Sequence, residues 1–185
     1  MCEGFVVREG IRVIDASSTV VYIRTSHGPI IVDTGSTSRI GMLRENLALC
    51  SLAPEAVKMV VNTHLHNDHI GGNSLFSGAV AMAHKLENPP FDTVRVADDH
   101  CISDGVTVLE TPGHTLGSIT VLVKGDRRYA VCGDAIPTKA NYETSTPPAI
   151  HVNRRLAVES MNRILSWAEV VIPGHDAPFE LSGKK

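Results

Sequence analysis

The sequence predicts an α/β fold in which two packed sheets are covered by helices. Short apolar runs of strand length fall in two clusters, and two longer segments repeat apolar residues at helical spacing. Several of the runs also end in a polar residue beside Gly, Asn or Pro, as strands feeding loops do.

The first cluster reads as strands over residues 5–8, 11–15, 19–25 and 29–32, with Ser26-His27-Gly28 as a hairpin turn. A helix follows over residues 39–50, where Ile40, Leu43, Leu47 and Cys50 share a face and Ser36 or Ser38 can cap the start. Further short runs cover residues 58–61, 80–83, 106–109, 118–123, 128–132 and 170–172, with Lys124-Gly125-Asp126-Arg127 as a second hairpin turn. The second helix spans residues 153–167, with Val158, Met161, Leu165 and Ala168 on one face.

Composition narrows the function classes. The chain has 185 residues, 43% apolar and 20% charged, which suits one globular domain over 1–185 with a sizeable core. A formal charge of −3 gives no electrostatic reason to expect a polyanionic partner, although a local cationic groove is compatible with it. The first residues lack a basic stretch leading into a long apolar run, so no signal peptide is expected, and no run is long enough to span a bilayer. Cys2, Cys50, Cys101 and Cys132 are scattered without a CxxC pair, which fits reduced thiols in the cytoplasm better than a disulfide framework or a zinc ribbon. Nothing here speaks against homo-oligomers.

The chemistry concentrates where the runs end. Residues 30–32 lead to Asp33, 59–61 to His64, 108–109 to His114, 130–132 to Asp134 and 170–172 to His175. Strands of that kind can deliver their ligands to one rim of the sheets. The densest signal is Thr63-His64-Leu65-His66-Asn67-Asp68-His69. Its four metal-type side chains cannot all face one point on a regular strand or helix, but an irregular strand-to-helix turn can divide them. His64 and His66 then serve one ion with His114, Asp68 and His69 serve a second with His175, and Asp134 gives one oxygen to each. Imidazole and carboxylate together suit zinc, iron or manganese better than calcium or magnesium, with zinc preferred here.

This set of residues resembles the metallo-β-lactamase superfamily along nearly the whole chain. The likeness runs through Val32-Asp33-Thr34-Gly35, the HxHxDH block at 64–69, Thr111-Pro112-Gly113-His114-Thr115, Gly133-Asp134-Ala135 and Pro173-Gly174-His175. It implies a four-layer αββα sandwich of two mixed sheets flanked by helices, with a dinuclear site at one edge. It also implies that Asp33 steadies the site without binding an ion. His66 stands where flavodiiron oxygen reductases carry Glu, which disfavours redox chemistry, and Asp134 stands where many zinc β-lactamases carry Cys. The length leaves no room for the inserted domain of the large nucleases.

Two readings of the substrate follow. The TPGHT motif and short loops resemble glyoxalase II-type thioesterases and lactonases, implying a small thioester, ester or lactone cleaved by a metal-bridging hydroxide. The segments 75–79 and 168–179 resemble the compact metallo-β-lactamase-domain-containing protein 1 group, implying a ribonuclease or phosphodiesterase with RNA as partner. A non-catalytic metal-binding interaction module is a third reading. In the hydrolase, Asp68, His69 and Asp134 are the expected catalytic residues. Substrate contacts are expected in the loop 135–150, from Lys139, Asn141 and Tyr142. Cys132 is expected to be a buried strand cysteine and Trp167 a core residue. His151 is expected to be a cap or surface residue, while His27, His84 and His100 are structural or exposed.

Overall fold

A computed structural model describes residues 2–10 and 12–182. The chain begins with an antiparallel hairpin of β1 (Phe5–Glu9) and β2 (Arg12–Ser17), whose register shifts between Val7 and Arg8. Its strands match the expectation, save that Ile11 lies outside the described residues. β3 (Val21–Thr25) and β4 (Gly28–Val32) form the hairpin predicted at Ser26-His27-Gly28. Gly28 there takes a φ of 111°, which side-chain-bearing residues rarely adopt.

Helix α1 (Ile40–Leu49) buries Leu43 and Leu47, while Cys50 is exposed. The expected serine cap does not form, because the Ser36 and Ser38 hydroxyls bond each other at 3.0 Å and a short 3-10 turn (Thr37–Arg39) leads into the helix. β5 (Met59–Val61), the single turn α2 (Asn67–Ile70), β6 (Val80–His84) and β7 (Val94–Val96) complete a five-stranded sheet and its first crossing. β4 through β7 run parallel, and β3 is the antiparallel edge.

The second sheet contains β8 (Cys101–Ser103), β9 (Val106–Glu110), β10 (Ile119–Lys124) and β11 (Arg128–Val131). After α3 (Lys139–Glu143) and α4 (Arg154–Trp167), β12 (Val170–Ile172) and β13 (Phe179–Glu180) extend it to six strands. Only β11 and β12 pair parallel. β7, β8, β13 and α3 are absent from the sequence reading, since two to five residues are too few for periodicity to register.

Alternation along the strands explains the layers. Ile30, Val32 and Val61 of one sheet meet Val106, Val108, Ile119, Val121 and Val131 of the other in the central core. Ile31 and Val60 point the opposite way, onto Leu43 and Leu47 of α1. Leu122, Ala130 and Val171 likewise face Met161 and Ile164 of α4. The result is helix, sheet, sheet, helix: the predicted four-layer sandwich of two mixed sheets. Burying each such Val or Ile stabilises the fold by about 1.5–3 kcal/mol. The buried face of α4 is centred on Ala157, Ser160, Met161 and Ile164, rotated from the predicted one; Val158 and Leu165 sit at its margin. Asn153 caps this helix by accepting a 3.1 Å bond from Leu156 N. Among the described residues no helix is long and apolar enough to cross a membrane.

Parallel pairing then fixes where the loops emerge. Val32 is level with Val61 in the first sheet, and Val131 with Ile172 in the second. Asp33, His64, Asp134 and His175, one to three residues beyond those partners, therefore leave the sheets at one rim.

Candidate metal centre

The loop after β5 divides the HxHxDH block as the residue types demand. His66 is extended (φ −70°, ψ 149°) at the residue before α2, without a side-chain capping bond, whereas Asp68 and His69 lie inside its single turn. His64 Nε2 and His114 Nε2 approach His66 Nδ1 at 3.1 and 3.0 Å. A second group joins Asp68, His69 and His175, with His175 Nε2 at 3.5 Å from Asp68 Oδ2. A third joins His64, His69 and Asp134, and within each group the candidate ligand atoms lie within 4.8 Å of one another.

Asp134 links the groups. Its Oδ1 is 3.1 Å from His175 Nε2 and 3.4 Å from His69 Nε2, while its Oδ2 is 3.4 Å from His114 Nε2. Gly174 lets this carboxylate in, since a Cβ there would overlap Asp134 Oδ1.

The far side of each buried imidazole is occupied. His69 Nδ1 is 2.8 Å from Asp33 Oδ2, His114 Nδ1 donates to Ile150 O at 2.7 Å, and His175 Nδ1 donates to Ser17 O at 3.1 Å. These bonds leave the Nε2 atoms of His69, His114 and His175 facing the centre. Asp33 also accepts from Thr63 N (2.8 Å) and Thr63 Oγ1 (2.7 Å). It holds this position with a φ of 53°, an uncommon left-handed backbone angle that Asp tolerates better than most residues.

The electrostatics separate the two sides. Burial, with help from His69, drives His64 well below its ordinary value, and burial with His114 lowers His66. Burial also opposes charge on His69, but Asp33 and Asp134 outweigh it and lift that imidazole to about 10. His175 rises too, Asp134 overcoming its burial. Burial alone would raise Asp134, yet His175 and His69 hold it well below the usual carboxylate range.

His69 Nε2 and Asp134 Oδ1 are buried without a hydrogen-bond partner. Orphaned groups of this kind are costly, and a cation between them would satisfy both. The imidazole-rich donor set and these orphaned atoms fit a metal centre.

The structure brings all seven sequence-predicted residues to one place. It does not bring Lys139, Asn141 or Tyr142 there. Lys139 pairs with Glu143 at 3.3 Å on the exposed side of α3. Asn141 is consumed in capping α3 and in bonds to the carbonyls of Thr146 and Pro147. The Tyr142 ring stacks on Phe179 at 5.2 Å. The cleft over the centre, about 550 Å³, is lined instead by Val6, Arg8, Val13 and Ile14 of the first hairpin, with Pro148 and Ile150 opposite. A mixed polar and apolar alternation on a short hairpin carries no sign of that role in sequence.

The other expectations resolve simply. Cys132 is buried, and burial pushes its thiol up. Trp167 is partly buried against the core under α4. His151 is half-buried and donates to Pro148 O, while His27 bonds Ser103 Oγ at 3.0 Å. His84 is buried and 2.9 Å from Glu110.

Sandwich and centre together define a metal-dependent hydrolase. The chain belongs to the metallo-β-lactamase superfamily, whose model matches residues 13–89, a span that holds Asp33 and the HxHxDH block. It is 37% identical over 177 residues to a probable metallo-hydrolase of Methanocaldococcus jannaschii, covering 94% of this chain and 84% of that one. It is 34% identical over 177 residues to mouse metallo-β-lactamase domain-containing protein 1, covering 90% of this chain but 66% of the mouse protein. A solved structure of a provisionally assigned metallo-β-lactamase from Thermotoga maritima superposes with a TM-score of 0.80 at 23% identity, over 96% of this chain and 95% of that one. A Bacillus thuringiensis protein solved with N-decanoyl-L-homoserine at its active site superposes at 0.74 and 21% identity, over 89% and 84%. At these identities the two structures attest the fold.

Proposed function

We propose that the chain, acting as a single domain, is a two-metal hydrolase of a small ester, thioester or lactone bearing an apolar arm. The observation that carries this reading is Asp134, whose two oxygens face different histidine clusters in a cleft that also has apolar wall residues, Val6, Val13, Ile14 and Ile150. His64, His66 and His114 would hold one ion and Asp68, His69 and His175 the other, with Asp134 available to both. Zinc suits so many imidazoles best, with iron or manganese as substitutes. Two adjoining divalent ions supply Lewis acidity and bring the pKa of water towards neutrality.

The remaining work belongs to the chain. Asp68 lines the cleft, where its carboxylate can orient the attacking water and take up its proton. Asp33 keeps His69 Nε2 directed inward through the bond to Nδ1. Val6, Val13, Ile14 and Ile150 hold the apolar arm and exclude bulk water. Among the described residues Arg8 is the one Arg or Lys in the lining, enough for a single carboxylate and too little for an RNA backbone.

The test is turnover by the metal-stripped and the zinc-, manganese- or iron-loaded protein on an acyl lactone, a thioester, a phosphodiester and a short RNA. Loaded protein is expected to cleave the lactone or thioester, faster with a longer acyl chain, and stripped protein to cleave nothing. RNA cleavage without acyl turnover would replace the substrate assignment. A fully loaded protein inert on the whole panel would leave a binding module.

A further inference from the structure

Glu87 lies outside the seven-residue set, yet its carboxylate is divided between the two loops that carry the three-histidine cluster. Oε2 accepts from Leu65 N at 3.0 Å, the residue between His64 and His66. Oε1 accepts from Thr115 Oγ1 at 2.6 Å and from Gly117 N at 3.1 Å, immediately beyond His114. Gly117 sits so close that a Cβ there would overlap this carboxylate.

The turn that presents Glu87 is itself fastened. It is the 3-10 segment Lys85–Glu87 that follows β6, and His84 Nδ1 caps it by accepting from Leu86 N at 3.2 Å. The other nitrogen of His84 lies 2.9 Å from Glu110 Oε1, on the strand that runs into the His114 loop. His66 most needs such a fixture. Its side chain is exposed, and among the described residues its ring hydrogen-bonds only to His64 and His114. The anchored backbone at Leu65 therefore governs where that imidazole sits.

We infer that Glu87 is a positioning residue that sets the metal affinity of the His64, His66 and His114 cluster and leaves the Asp68, His69 and His175 cluster largely unaffected. The inference rests on the proposed assignment of those histidines to an ion. The second cluster draws its support elsewhere, from Asp33 at His69 and Ser17 O at His175.

The test is an equilibrium zinc titration against a chromophoric chelator, with wild type, Glu87→Ala, Glu87→Gln and Thr115→Val. Wild type is expected to show two binding steps. Glu87→Ala weakens one of them by about 10–100-fold, the usual effect of removing a support behind metal ligands, and spares the other. It should be the same step that His66→Ala deletes. Glu87→Gln and Thr115→Val, which retain part of the clasp, shift that step less, and they decide the matter if the alanine variant does not fold. Both steps unchanged, or both weakened equally, overturns the role of Glu87 and leaves the metal assignment standing. A wild type that takes up no zinc overturns the assignment and this inference together.

Discussion

Asp33 Oδ2 lies 2.8 Å from His69 Nδ1, and both side chains are buried. The pair turns the opposite nitrogen of His69 toward Asp134, so the support and the candidate ligand act as one unit.

Asp33→Asn isolates that interaction, because Asn also tolerates the φ of 53°. The amide retains only one acceptor oxygen for three donors: Thr63 N, Thr63 Oγ1 and His69 Nδ1. Stability should fall by about 1–3 kcal/mol, the cost of a buried donor left unsatisfied. Metal affinity should fall about 10–100-fold on the His69 side. Thermal unfolding and zinc titration read both effects, and a variant equal to wild type in each would deny Asp33 its role.

Asp134→Ala should reduce the metal content of the folded protein from two ions towards one. Among the described residues it removes the one carboxylate within 3.5 Å of imidazoles from both clusters. Turnover should fall at least about 100-fold, since loss of the shared carboxylate disturbs both ions at once. Elemental analysis beside kcat/KM checks this, and undiminished activity at full folding would rule out the proposed mechanism.

The legibility of this site follows from its chemistry. The seven ligand-type residues stand out because irregular turns after apolar strands rarely carry so many imidazoles, and the strand ends that deliver them could be read from the same runs. Lys139 and Tyr142 lie away from the centre for a tertiary reason. Tyr142 is claimed by Phe179 on β13, a strand of two residues with no periodicity to read. Glu87 is invisible in sequence because a lone Glu after a strand resembles any solvated turn, and only folding brings Leu65, Thr115 and Gly117 to it. The cleft wall escaped for a similar reason, since Val6 and Ile14 look like ordinary residues of an edge hairpin.

Protons and metal should compete unequally for the two clusters. His69 is raised to about 10, so in the metal-free protein its imidazole holds a proton at neutral pH, and Asp134 shifts His175 in the same direction. His64 and His66 are lowered and already neutral there. Metal uptake must therefore release protons chiefly from the His69 side, and affinity on that side should strengthen as pH rises. For metal-free stability the sign is the reverse. The proton on His69 stabilises the fold fully below the unfolded value of about 6.5 and is lost as pH rises through about 10. Calorimetric zinc titrations in buffers of different ionisation heat count the protons, and none released at pH 7 would contradict this electrostatic division.

Substitutions in the first hairpin should separate substrate recognition from chemistry. Ile14 is about half exposed and lines the cleft with Val6 and Val13. Ile14→Ser removes apolar surface from the wall without touching any candidate ligand. Each buried methylene lost from contact is worth about 0.8 kcal/mol, so KM for a long-acyl lactone should rise several-fold while kcat stays near wild type. The same variant should treat a short-acyl lactone almost as wild type does, because that substrate does not reach the hairpin. Arg8→Ala should instead discriminate by charge, raising KM for substrates with a free carboxylate and leaving neutral ones alone. Equal losses across acyl length and charge would mean that the hairpin acts on the metal centre and not on the substrate.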